Sequence, residues 1–324
     1  MASLCTRLSS VMCCPVKEKG EELVLSMGSD DSALALSIKV VMPEHSLAPK
    51  AVQVRLERNK TPMNRNTWNT DVAIPVSQQL QNIGRIWTAQ GLDYLVHGTV
   101  KRDAQRQEQA FHWEIVPFSK TRLFITRFWQ QFKVLWRLTF GGIYTPIVTR
   151  RTVATQLKGE MTKATQGDSK AGAEARGKEF LCDVAKCSKQ LVFTNNKMRL
   201  LLDEKPLIPR DRGVHFLIAP ERHVERFEEL TQAELEGMSA LQNHCLDQYK
   251  EAPEITIFDK SGKEAGQTVP HWHQHLVVQE RPLGKWTTLC RLVRNMLFGL
   301  PKLSKEDMSQ ATHELQKKFG VEKN

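Results

Sequence analysis

Long hydrophobic runs are missing from this 324-residue chain. Lys, Arg, Asp or Glu interrupts every apolar stretch well short of the ~20 residues that cross a bilayer, which excludes a transmembrane helix. Cysteine is sparse: seven residues, an odd number and widely scattered, do not make the disulfide framework of a small secreted domain and point to a reducing compartment, the cytoplasm. The first 17 residues hold Arg7 and Lys17, no acid and no continuous apolar core, so they lack a secretory signal. Residues 1–20 read as a disordered tail, with Cys5, Cys13 and Cys14 leaving a targeting or acylated segment as the alternative. Large apolar side chains are also scarce between Lys158 and Lys178, where Gly159, Gly167, Ser169, Gly172 and Gly177 alternate with charge. Such a composition buries no core and predicts a linker at 156–178.

The rest is ordinary globular material, 40% hydrophobic and 25% charged. Its length suits two domains, at 21–155 and 179–305, followed by a C-terminal helix or tail at 306–324. The formal net charge of +10 is concentrated in the middle: Lys101 to Glu179 carries 15 Lys/Arg against 7 Asp/Glu. This surplus favours nucleotides, nucleic acid or a membrane surface as partners, or it serves only as a solvated surface.

The C-terminal part reads as an α+β meander. Gln190–Phe193, Met198–Leu202 and His215–Ala219 are short apolar runs suited to antiparallel strands. Thr231 with Glu234 makes a capping box ahead of Leu235, Met238, Leu241, Cys245 and Leu246, which recur at helical spacing as far as Tyr249. Ile255–Phe258 and His271–Val278 supply two further strands around a turn containing Gly262 and Gly266. The N-terminal part follows the same plan weakly. A helix from Val76 to Gln90, beginning after Pro75, and a strand Leu92–Val100 precede His112-Trp113, and both His112-Trp113 and His271-Trp272 are followed by aromatic segments ending in Phe-Gly. This order predicts a degenerate internal repeat.

The chemistry is concentrated in Gly266-Gln267-Thr268-Val269-Pro270-His271-Trp272-His273-Gln274-His275. Histidines spaced by two share one face of a strand, and such an imidazole row suits metal binding or phosphate chemistry. The segment resembles the histidine triad (HIT) family, whose signature is His-x-His-x-His after a Gly-Gln-Ser/Thr turn. The resemblance covers about 180–280: Asp203-Glu204-Lys205-Pro206, His215 with Pro220 and His223, and Val224-Glu225-Arg226-Phe227 are similar to further family segments. The loop from Pro206 to His215 is longer than the pattern, and the polar position ahead of the Gly-Gln turn falls among Asp259, Lys260 and Ser261.

The resemblance implies a HIT-like antiparallel sheet with a helix, and hydrolysis of a nucleoside phosphoramidate or dinucleoside polyphosphate through a nucleotidyl-histidine. In that reading His273 is the nucleophile, His275 and His215 donate protons, and His271 orients the nucleophile. Gln267 and Thr268 hold phosphate, and Asp203 accepts from ribose hydroxyls. His275 stands where the transferase branch carries Gln, which favours hydrolysis. No cofactor is required, although Cys182, Cys187, His223 and His271 correspond to a structural zinc set in some relatives. The family's two-fold dimer implies either a homodimer or a monomer with an internal pseudo-dimer. The rival reading is a non-catalytic nucleotide-binding or membrane-docked regulatory module. A third, a zinc-dependent enzyme acting on nucleic-acid ends, rests on the basic middle alone. Residues 120–140 spell an aromatic, basic amphipathic helix, which either packs on its own domain or touches a membrane surface.

Overall fold

The computed structural model describes residues 22–27, 36–58, 61–62, 70–101, 112–121, 123–164, 180–195, 197–281 and 283–321. In the N-terminal half, β1 (Glu22–Met27), β2 (Leu36–Met42), the two-residue β3 (His45–Ser46), β4 (Val52–Arg58) and β5 (Thr61–Pro62) precede α1 (Thr70–Ala89). Then come β6 (Asp93–Lys101), β7 (His112–Phe118), α2 (Phe124–Phe140), β8 (Ile143–Tyr144) and α3 (Ile147–Ala164). In the C-terminal half a 3-10 turn at Phe180–Cys182 and the one-turn α4 (Val184–Cys187) lead into β9 (Leu191–Asn195), β10 (Met198–Leu202) and β11 (Gly213–Pro220). These are followed by α5 (Gln232–Gln248), β12 (Glu254–Ser261), β13 (Gln274–Gln279), α6 (Lys285–Phe298) and α7 (Lys305–Lys318). Apart from the shortest pieces, both halves run three strands, a helix, two strands and two helices.

The halves are not separate bodies. Their strands make one antiparallel sheet in the order β1-β2-β4-β7-β6-β12-β13-β11-β10-β9, with β5 beside β4. The join is the β6–β12 pair, in register from Lys101↔Glu254 to Tyr94↔Ser261. One face is covered by α1 and α5, whose Val76, Leu80, Ile83, Leu235, Met238 and Leu241 share a continuous core with Val96, Trp113, Ile255, Trp272 and Leu276. Each such side chain contributes roughly 1.5–3 kcal/mol through burial, so this shared core binds the halves together. The capping box predicted for α5 is present, with Thr231 and Glu234 bonded reciprocally, and the helix stops at Tyr249. On the opposite face α2 seats Val134 against Leu95, Val116 and Phe118, and α6 lies beside it, Trp286 meeting Trp136 and Phe140.

Three sequence expectations are corrected. Helix α1 begins at Thr70, five residues before Pro75 rather than after it. The segment expected to open the linker at 156 continues α3 as far as Ala164, because Val153, Leu157 and Met161 recur at helical spacing and enter the core. The segment expected as a C-terminal helix or tail forms the helix α7, which packs Met308 and Ala311, with Phe319 just after it, into the same core. The last expected strand starts at Gln274, not His271: the Trp272 N–H bonds to the Val224 carbonyl at 2.6 Å, outside the ladder. The expected tail at 1–20 and the rest of the linker, 165–178, lie outside the described residues. Among the described residues no helix is long and apolar enough to cross a membrane.

Candidate active site

Strands β11, β12 and β13 bring three imidazoles and a lysine to the sheet face opposite α5. The register places His275 between Leu217 and Phe258, and its ring stacks on Phe258 at 4.5 Å. His215 Nε2 lies 3.0 Å from His275 Nδ1. The Leu207 N–H donates to His215 Nδ1 at 3.1 Å, so the neutral His215 carries its proton on Nε2 and donates it to His275 Nδ1. His275 then bears its own proton on Nε2. Burial pushes His215 down to about 3 and His275 well below the ordinary histidine value, so both rings are neutral at physiological pH.

His273 is oriented differently. Its Nδ1 donates to the His271 carbonyl at 2.9 Å, which leaves the Nε2 lone pair bare, and its ring lies 4.9 Å from that of His275. Burial lowers its pKa too, so the free base prevails at neutral pH. Lys260 follows the last β12–β13 pair, Asp259↔Gln274, and therefore stands beside His273. Strand alternation puts it on the same face as Phe258. Its ammonium lies 5.7 Å from the Phe258 ring centre, and a methyl group on Gly266 would sit 3.6 Å from Nζ. Burial lowers the Lys260 pKa, opposed by the charge of Asp203. Among the described residues it has no hydrogen bond or ion pair.

The turn between β12 and β13 is held from both halves of the chain. Gly262 and Gly266 take φ of 96° and 89°, a region that favours glycine, and a side chain at Gly262 would overlap the Asp93 carboxylate. Asp93 Oδ2 accepts from the Glu264 N–H at 2.8 Å while Arg226 donates to Asp93 Oδ1 at 3.2 Å. From α2, Arg127 grips Glu264 with two bonds of 2.9 and 3.1 Å, and Gln131 donates to the Glu264 carbonyl at 3.0 Å. Asp93, Arg127 and Gln131 escaped the sequence reading because they come from the other half and carry no local motif.

Two expected ligand contacts are directed elsewhere. Gln267 accepts from the Gly262 N–H at 2.7 Å and donates to the Glu225 carbonyl at 2.9 Å, so its side chain fastens the turn instead of facing a phosphate. Asp203 Oδ2 lies 3.2 Å from His215 Nδ1, and its Oδ1 accepts from the Lys205 N–H at 2.9 Å. Its side chain lies largely buried beside His215, and desolvation raises it to about 6. Thr268 is exposed at the end of the turn.

His271 leaves the row and joins a second cluster. Cys182 Sγ lies 3.3 Å from His223 Nδ1 and 3.2 Å from His271 Nδ1. His271 Nε2 donates to the Pro220 carbonyl at 3.1 Å, which leaves Nδ1 as a free donor atom toward the sulfur, and burial with the neighbouring His223 lowers His271 to about 4. A cysteine sulfur and two imidazole nitrogens within 4.8 Å of one another are suitable zinc donors. The expected fourth donor is not among them: the Cys187 thiol is buried and turned to the Phe180 carbonyl, 3.1 Å away.

With this geometry in hand, residues 185–281 match the model of the HIT domain. The chain is 30% identical over 95 residues to a bis(5'-adenosyl)-triphosphatase of Dictyostelium discoideum, spanning 28% of this chain and 61% of that protein. It is 32% identical over 80 residues to the bifunctional bis(5'-adenosyl)-triphosphatase/adenylylsulfatase FHIT of Arabidopsis thaliana, spanning 24% and 42% respectively. The match therefore covers less than two thirds of the length of either relative. Over a longer span the fold is similar to that of a GalT-like protein from Arabidopsis thaliana, with a TM-score of 0.51 at 12% identity over 90% of this chain and 88% of that one. A HIT domain thus occupies residues 185–281, in the C-terminal half of this chain.

Proposed function

We propose that the chain hydrolyses a phosphoanhydride or phosphoramidate bond of a nucleotide, with His273 as nucleophile and a dinucleoside polyphosphate or nucleoside phosphoramidate as substrate. The observation that carries this reading is the bare Nε2 of His273, fixed by its Nδ1–H bond to the His271 carbonyl and flanked by Lys260 and neutral His275. Nε2 attacks the α-phosphorus, a P–N bond forms to the imidazole, and the bond to the leaving group breaks. The His271 carbonyl stabilises the positive charge that the ring acquires. His275 Nε2–H donates toward a phosphoryl or leaving-group oxygen, with His215 supporting its tautomer. Lys260 offsets negative charge gathering on the phosphate chain. Water then cleaves the nucleotidyl-histidine, releasing the nucleotide and restoring the free imidazole. The names of the two curated relatives support this substrate class.

In the same reading Thr268 meets phosphate, and Cys182, His223 and His271 hold a structural zinc. The N-terminal half is a degenerate HIT-like unit: the repeated element order supports this, and in β7 the chain offers Glu114 and Val116 after His112, in place of further histidines. Both units in one chain would supply the two-fold arrangement internally. The test is turnover. Nucleotide release from diadenosine triphosphate or adenosine phosphoramidate is expected from the wild type and falls by ~10³-fold or more in His273→Ala. Binding without turnover of either substrate by the wild type contradicts the catalytic reading and favours a ligand-binding module.

A further inference from the structure

Eight of the exposed large apolar side chains, Leu123, Phe124, Ile125, Trp129, Trp136, Trp286, Leu297 and Phe298, lie on or immediately before the two adjacent helices α2 and α6. Phe298 is 82% exposed, Phe124 71% and Trp286 64%. The expectation that 120–140 packs on its own domain is met on one face of α2, where Val134 is buried, Leu138 packs beside it and Arg127, Gln131 and Arg137 are bonded, while the other face is exposed. Helix α6 buries only Leu289. The helices touch through Trp136, Phe140 and Trp286, so their outer aromatic rows form a single patch. Isolated exposed apolar residues are normal, but a contiguous aromatic group of this kind marks an interaction surface.

Charge identifies the partner. Helix α2 carries Arg127, Lys133 and Arg137, helix α6 carries Lys285, Arg291 and Arg294, and neither contains an acid. Arg127 is committed to Glu264, Arg137 to the Leu47 carbonyl and Arg291 to the Leu207 carbonyl. Lys133, Lys285 and Arg294 are exposed and have no hydrogen-bond or ion-pair partner among the described residues. A second copy of the chain would place like charges against like. Tryptophan and phenylalanine interleaved with lysine and arginine fit the interface of an anionic bilayer, where rings enter the headgroup boundary and long cationic side chains reach the phosphates.

We propose that α2 and α6 together dock this protein onto an anionic membrane surface. The same helices support the catalytic centre. Helix α2 holds the turn at Glu264, and α6 holds Leu207, whose N–H fixes His215.

Sedimentation of the full chain with vesicles of phosphatidylcholine, alone or mixed with phosphatidylglycerol, tests the proposal. Binding is expected to the mixed vesicles, with a blue shift of tryptophan emission. Phe298→Ala should weaken the partition coefficient roughly tenfold, and neutralising Lys133, Lys285 and Arg294 together should weaken it on the order of a hundredfold. Circular dichroism of each variant should match the wild type, since all four positions are exposed. Absence of binding to mixed vesicles, equal binding to neutral vesicles, or no effect of Phe298→Ala overturns the proposal. A concentration-dependent dimer that Phe298→Ala dissociates would also overturn it, assigning the patch to self-association. His273→Ala should sediment like the wild type, so this result is independent of the catalytic reading.

Discussion

Lys260 brings a positive charge next to three neutral imidazoles. The histidines hold hydrogens and lone pairs in fixed directions, but being neutral they would do little to offset the charge of the proposed polyphosphate substrate, a need that Lys260 would fill. Lys260→Gln is expected to lower kcat/KM for diadenosine triphosphate by roughly 10²-fold, and by less for adenosine phosphoramidate, whose leaving group is an amine. The pH profile supplies a second readout. Burial depresses the lysine's pKa, so the wild-type rate should fall as pH rises at a value below that of an ordinary lysine, and Lys260→Gln should lack that limb. Unchanged kcat/KM in the variant contradicts the role. His273 and His275 were legible from their spacing of two, but Lys260 was one of three candidates, and it took the β12–β13 register to select it. His271 was misplaced in the row because its alternation is broken by a backbone bond to Val224 that no local pattern encodes.

The elements around Cys182 suit the second cluster to the proposed structural role. The 3-10 turn at Phe180–Cys182, the end of β11 and the approach to β13 come from distant parts of the chain, and a metal ion would clamp all three. Metal analysis of the purified protein is expected to find about one zinc per chain. Cys182→Ser should release it and lower the melting temperature, and Cys187→Ala should retain it. A metal-free wild type, or zinc lost equally from both variants, contradicts the three-donor assignment. At this scale the sequence read well where period and caps agreed, as in α5 with Thr231 and Glu234, and in β10. It failed where composition hid the period: Gly159 and the surrounding charges masked Val153, Leu157 and Met161 in α3, and Pro75 concealed the first turn of α1.

Across the whole molecule, one sheet and one core make the two halves interdependent. The turn between β12 and β13 is gripped by Asp93 and Arg127 from the N-terminal half, and Arg226 of the C-terminal half completes the tie through Asp93. The sequence showed a repeat of elements but not their fusion at β6 and β12, because strand partners in an antiparallel sheet leave no mark on local spacing. The N-terminal half therefore fixes the Gly262–Gln267 turn, and in the proposed function this is its contribution to the site. The central claim remains the covalent step at His273, and the most direct measurement is intact-protein mass after rapid, acid-free quenching with diadenosine triphosphate. The account predicts a nucleotidyl adduct on the wild type that is absent from His273→Ala. An adduct that persists in His273→Ala, or turnover by the wild type that proceeds without any adduct at quench times shorter than a single cycle, would contradict it.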